Sequence, residues 1–220
     1  MSNKYSENET NIVEIENNSE LVSMRNELIK QIVLSEWEAF DKVQNEGGRA
    51  SCQDDFTTFS IMRKSQYMTW TNEMLEEYLY HFTKSYNEGR NLITEKYGRM
   101  MESTAPEKYE KIKDHFVKLS DKRIALQEAI IKIQVNWMEE VAAKYPKVAS
   151  NARSIHTYED NAFNTSYETY LRGELGTYSE ELIAMYGRFI VDIEMQGGNL
   201  AYMTMNNTAI LNGYKSLEDC

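Results

Sequence analysis

Apolar residues recur every three or four positions along most of this chain, which is the period of a helix and not the alternation of a strand. The pattern predicts a first helix from Leu21 to Gln44, closed by the Asn45-Glu46-Gly47-Gly48 turn. After a loop over 45–55, Asp54 or Asp55 is placed to cap a second helix over about 56–70. A long helix is expected from Thr71 to Ser103, roughly 50 Å at 1.5 Å per residue. Thr104-Ala105-Pro106-Glu107 reads as a capping box opening a short helix to about Phe116. From Asp121 to Tyr145, after a Ser120 cap, the apolar residues surround most of the helix, which marks it as the central one. Pro146 ends it, and 146–164 reads as a polar connection. A second capping box, Thr165-Ser166-Tyr167-Glu168, starts a helix that Gly176 ends. A further helix covers about 178–196, and the segment from Leu200 has room for one short helix more.

The expected fold is therefore all-α: a single-domain bundle of about six or seven helices, one long and one central, over residues 21–217. Residues 1–20, rich in Asn, Glu and Ser, read as a disordered tail. Two prolines and ten glycines in 220 residues leave long stretches free of helix breakers, in keeping with that class.

Several helices break their own apolar stripe with a charge or an amide. Ile29, Ile32, Val33, Phe40 and Val43 lie seven, four, three, four and seven residues from Glu36, so its side chain points along the middle of the apolar face. The alternative is a small roll of the helix that lets the carboxylate reach water. Arg63 and Gln66 share a face with Phe59, Met62 and Trp70. Arg90 falls in line with Leu79, Tyr86, Ile93 and Tyr97, unless it snorkels to the surface. Gln134 lies beside Ile131 and Met138, and Glu174 beside Tyr167, Tyr170 and Leu171. Charges are seldom buried alone, so the set predicts a shared polar pocket in the bundle core. Glu36 is the candidate general acid or base, Arg63 and Arg90 the groups that orient an anion, and Tyr97, Tyr170 and Trp70 the walls.

The 45–55 loop adds Arg49, Gln53 and Asp54 as candidate ligand-binding residues, since a double glycine followed by arginine suits an anion nest. A plain turn with helix caps explains Gly47, Gly48 and Asp55 equally. The loop matches neither a Walker sequence nor a dinucleotide fingerprint. Cys52 reads as a small buried thiol rather than a nucleophile. His81, His115 and His156 form no ligand pair, no Glu-x-x-His repeat is present, and the acidic spacings of Glu107, Glu110 and Asp114 suit a solvated face, so no metal site is expected. The cofactor is left open.

A net charge of −11 argues against nucleic acid, which needs clustered basic residues. No signal sequence and no apolar span for a membrane is read, so a cytoplasmic protein is expected. The functional expectation is a non-redox enzyme acting on a small polar or anionic molecule. The alternative is a non-catalytic helical module that binds a partner protein or a neighbouring catalytic domain, for which 15 tyrosines and 12 methionines offer an adaptable surface.

Specific stretches also resemble a known family. They are Glu36-Trp37-Glu38, the run Gly47 to Asp55, Ile61-Met62-Arg63-Lys64-Ser65-Gln66 with Trp70, and Gly89-Arg90-Asn91-Leu92. Thr94-Glu95-Lys96-Tyr97, Arg99-Met100-Met101 and Glu168 to Leu175 complete the set. Together they are similar to an uncharacterised bacterial helical family catalogued only as a domain of unknown function, over about residues 25–217. The resemblance implies membership and supplies no activity, cofactor or catalytic residue.

Overall fold

The structure, a computed structural model, describes residues 3–44, 47–150 and 152–220, with side chains described from residue 20 onward. Ten α-helices and no strand are found among the described residues. They are α1 (Asn3–Asp41), α2 (Phe56–Tyr67), α3 (Asn72–Asn87), α4 (Leu92–Thr104) and α5 (Pro106–Ile112). There follow α6 (Asp121–Lys144), α7 (Pro146–Ala149), α8 (Tyr167–Leu175), α9 (Glu180–Met195) and α10 (Leu200–Leu211). The all-α class holds, but the count exceeds the six or seven expected.

Two differences in helix number have local causes. The long helix expected over Thr71–Ser103 is two helices. Gly89 adopts φ +81°, and the Gly89 and Arg90 amides donate back to Tyr86 O and Ser85 O, a Schellman closure of α3. Asn91 then accepts from the Ile93 and Thr94 amides and caps α4. The expected polar connection after Pro146 contains the one-turn α7, in which Pro146 stands at the start. Within that connection Asn151, like Asn45 and Glu46 of the first turn, lies outside the described residues.

The caps mostly follow the sequence. Asp55 accepts from Thr58 N, and Ser120 from Arg123 N. The box expected at Thr165-Ser166-Tyr167-Glu168 does not form: Ser166, not Thr165, caps α8 by accepting from Thr169 N, and Glu168 accepts from Thr157 N instead. Thr104 does not cap α5; it closes α4 instead, its hydroxyl donating to Met100 O, and Ala105 holds the cap position. The backbone of 3–20 is helical and continues α1 where the sequence predicts a tail; residues 1 and 2 lie outside the described residues.

The core gathers Ile32 and Val33 of α1, Met74 and Leu75 of α3, Ile130 and Ile131 of α6, and Leu182, Ile183 and Ile190 of α9. Trp70 stands among four tyrosine rings, Tyr67, Tyr78, Tyr178 and Tyr186, with centroids 5.1–5.9 Å away. α6 is not the enclosed central helix expected. It buries one face through Gln127, Ile131, Gln134 and Val141, while Lys132, Asn136, Glu139 and Glu140 are exposed. α4 packs closely on α8 because Gly173 leaves room: a Cβ there would meet Lys96 O at 2.8 Å. That close approach brings two charged residues, one from each helix, into contact. No helix among the described residues is long and apolar enough to cross a membrane.

Candidate functional site

Four ionisable side chains from four helices meet in the interior. Glu36 comes from α1, Arg63 from α2, Lys96 from α4 and Glu174 from α8, and all four are buried. The Arg63 guanidinium lies between the two acids. Its Nε and Nη2 donate to Glu36 Oε2 and Oε1 at 2.8 and 2.6 Å, the two-pronged geometry that suits arginine and carboxylate. Its Nη1 donates to Glu174 at 3.1 Å and to Gln66 Oε1 at 2.9 Å. Lys96 Nζ reaches Glu174 Oε2 at 2.6 Å. Two acids and two bases make the cluster neutral overall.

The remaining acceptor positions are filled by the tyrosines around Trp70. Tyr67 and Tyr78 hydroxyls donate to Glu36 Oε1 at 2.7 and 2.6 Å. Tyr178 donates to Glu174 Oε1 at 3.2 Å, where Gln66 Nε2 also arrives at 2.9 Å. These residues put an apolar ring into the core and a polar tip into the cluster. Burial raises the pKa of all three phenols, so they act as neutral donors.

Burial also works to raise Glu174, but the charges of Arg63 and Lys96 and the hydrogen bonds from Lys96 and Gln66 outweigh it. The carboxyl is held well below the usual range and is ionised. Burial likewise opposes the charge on Arg63, and the Glu174 and Glu36 carboxylates overcome it, raising its pKa.

The cluster grades outward. The Glu36 side chain is 0% exposed, whereas those of Arg63 and Glu174 keep 10% and 7%. Gln66, Tyr97 and Tyr170 beyond them are half-buried. The Lys96 ammonium sits 3.8 Å from the Tyr170 ring centroid, and the Tyr97 and Tyr170 rings meet edge-on at 6.4 Å.

Six of the residues singled out from sequence thus lie together: Glu36, Arg63, Gln66, Glu174, Tyr97 and Tyr170. Trp70, expected as a wall, is buried among the tyrosine rings behind the cluster, and the others lie elsewhere. Arg90 is one-third exposed at the α3–α4 break and pairs with Glu95, which Arg99 also holds. Gln134 is buried, but accepts from Tyr186 OH on the far side of the Trp70 rings. Arg49 is exposed and bridges Asp41 and Asp54, tying the loop to the end of α1. Gln53 is buried beneath it as a cap: its amide donates to Phe40 O and Val43 O and accepts from Ala50 N. The plain structural account of this loop therefore explains Arg49, Gln53 and Asp54. Cys52 is exposed, contrary to the buried thiol expected.

Lys96 was not among the candidate site residues, although the sequence carries a signal for it. Leu92, Ile93 and Met100 lie four, three and four residues away and are all buried, so lysine interrupts the α4 stripe as Glu36 interrupts that of α1.

No curated protein and no solved structure matches the chain. A family model matches residues 26–220, which takes in every member of the cluster, and the chain belongs to that family, described as a protein of unknown function, DUF4125.

Proposed function

We propose that this protein is a non-redox enzyme acting on a small polar or anionic molecule at the half-buried end of the cluster, where Gln66, Lys96, Tyr97, Tyr170 and Glu174 adjoin. The observation that carries the reading is the outward gradation: the Glu36 side chain is fully enclosed, while Arg63 and Glu174 still touch solvent. A molecule arriving there meets Lys96, Arg63 and Gln66 as donors and two tyrosine rings as walls. Glu36 lies behind Arg63, so its part is to position the guanidinium rather than to touch substrate. Glu174, held strongly ionised, is a weak base. Its role is to keep Lys96 and Arg63 aimed as fixed positive charges, which favours chemistry that builds negative charge in the transition state.

A thermal-shift screen of small carboxylates, phosphates and polar metabolites tests this on wild type, Lys96→Met and Gln66→Ala, with circular dichroism to confirm that each variant folds. At least one anionic compound should raise the wild-type midpoint and lose its effect in a folded variant. A second reading, a non-catalytic interaction module, is favoured by the fact that each charge in the cluster already has an opposite partner. Exposed Met24, Met62, Met68 and Met195 would suit its contact surface. A library without effect, together with a partner protein that co-migrates at fixed stoichiometry, selects that reading.

A further inference from the structure

A cleft of about 330 Å³ opens between α6, α7, α10 and the 152–159 segment. That is within the range of small-molecule sites, roughly 300–1,000 Å³. Met138, Val141 and Ala142 of α6 and Met205 of α10 give it an apolar wall, and the two thioethers can adapt to a ring or a chain. Arg153, Ser154, His156, Tyr158 and Glu159 supply its polar groups.

Arg153 differs from Arg49, Arg63, Arg90, Arg99 and Arg172, each of which rests on at least one carboxylate. Among the described residues no acid pairs with Arg153. Its Nη1 makes a 3.4 Å contact to Thr165 O, and its guanidinium lies 5.0 Å from the Tyr170 ring centroid. Most of its five donors have no acceptor among the described residues. The two titratable neighbours in the cleft, Glu159 and His156, are engaged. The Glu159 carboxylate accepts from His156 N at 2.9 Å, and His156 Nε2 lies 3.1 Å from Glu139 Oε1.

We infer that this cleft is a second binding site, for a small monocarboxylate with an apolar or aromatic tail. The tail lies against Met138, Val141 and Met205, and the carboxylate meets Arg153. Arg153 and Lys96 both lie against the Tyr170 ring, so the site adjoins the ionic cluster there, and its existence does not depend on the activity proposed above.

The test titrates 4-phenylbutyrate, 4-phenylbutylamine and 4-phenylbutanol into the full chain labelled at methionine methyls, with Met138 and Met205 assigned by Met→Leu variants. The carboxylate should shift both methyls, and the amine and alcohol should bind at least about tenfold more weakly. Arg153→Gln, a change at an exposed position, should weaken the carboxylate about tenfold and leave the alcohol unaltered. Ala142→Leu, which narrows the cleft, should weaken all three. Equal binding of amine and carboxylate, an undiminished affinity in Arg153→Gln, or shifts confined to methionines outside the cleft would overturn the assignment.

Discussion

Replacing Glu36 by glutamine is the most informative single change, because it keeps the shape of the side chain and removes only the charge. In the folded protein the carboxylate accepts from Arg63 Nε, Arg63 Nη2, Tyr67 OH and Tyr78 OH, all at 2.6–2.8 Å. An amide oxygen can take over at one end, but the amide nitrogen at the other must face a donor. At least one buried donor is left without an acceptor, at about 1–3 kcal/mol. The cluster also passes from neutral to a net positive charge in a site closed to water, and breaking a buried pair in this way typically costs about 3–5 kcal/mol. Taking the larger figure as inclusive, Glu36→Gln should lower stability by about 3–5 kcal/mol. For a domain of this size that is a fall in Tm of about 6–20 °C. Urea denaturation and scanning calorimetry read it directly. The double variant Glu36→Leu/Arg63→Met leaves Glu174 and Lys96 as a neutral pair, and so should cost much less than the sum of its two single changes. A loss under about 1 kcal/mol in Glu36→Gln, with additive singles, would refute the reasoning. The carboxylate would then be solvated or already protonated, and the cluster would not be a coupled unit.

Two further outcomes follow from the same geometry. Gly173→Ala places a Cβ 2.7 Å from Met100 Cγ and 2.8 Å from Lys96 O, so α4 and α8 must separate, and the urea midpoint should fall by the equivalent of about 1–3 kcal/mol; an unchanged midpoint would show that the two backbones do not approach as described. Stability should also decline in acid. Glu174 is depressed from its ordinary value of 4.5, so its contribution is complete above that pH and is lost as pH falls toward the lower folded value. Asp160 and Glu168 are depressed as well and act in the same direction. Glu174→Gln should flatten the acid limb of a stability–pH curve, and a wild-type curve level down to pH 3 would contradict the sign.

The fold class was legible because the helical period persists along nearly the whole chain. What periodicity could not reveal was the break at Glu88-Gly89-Arg90-Asn91. It contains no proline, and apolar positions on both sides happen to stay in phase with one uninterrupted helix. That error in turn placed Arg90 on an inward face, when the Schellman closure directs it toward Glu95. Glu36, Arg63, Gln66 and Glu174 were found because each interrupts an aliphatic or aromatic stripe. Gln134 passed the same test and does lie inward, but spacing within one helix cannot say which neighbouring helix a residue will face. The tyrosine hydroxyls were invisible for a different reason. A ring at a core position is counted as apolar bulk, and only the assembled core shows that Tyr67, Tyr78 and Tyr178 aim their oxygens at two carboxylates.

Because Glu174 serves Arg63 on one helix and Lys96 on another, the helices carrying them hold one another in phase. Turning α8 by a single residue, about 100°, would take the paired acid from Lys96 and leave Arg63 with Glu36 alone. The same dependence narrows the routes by which such a sequence can change: a lone swap at any of the four positions passes through an uncompensated interior charge, whereas exchanging an acid together with its base does not. An engineer who wants a wholly hydrocarbon interior here should therefore recode opposite charges in matched couples.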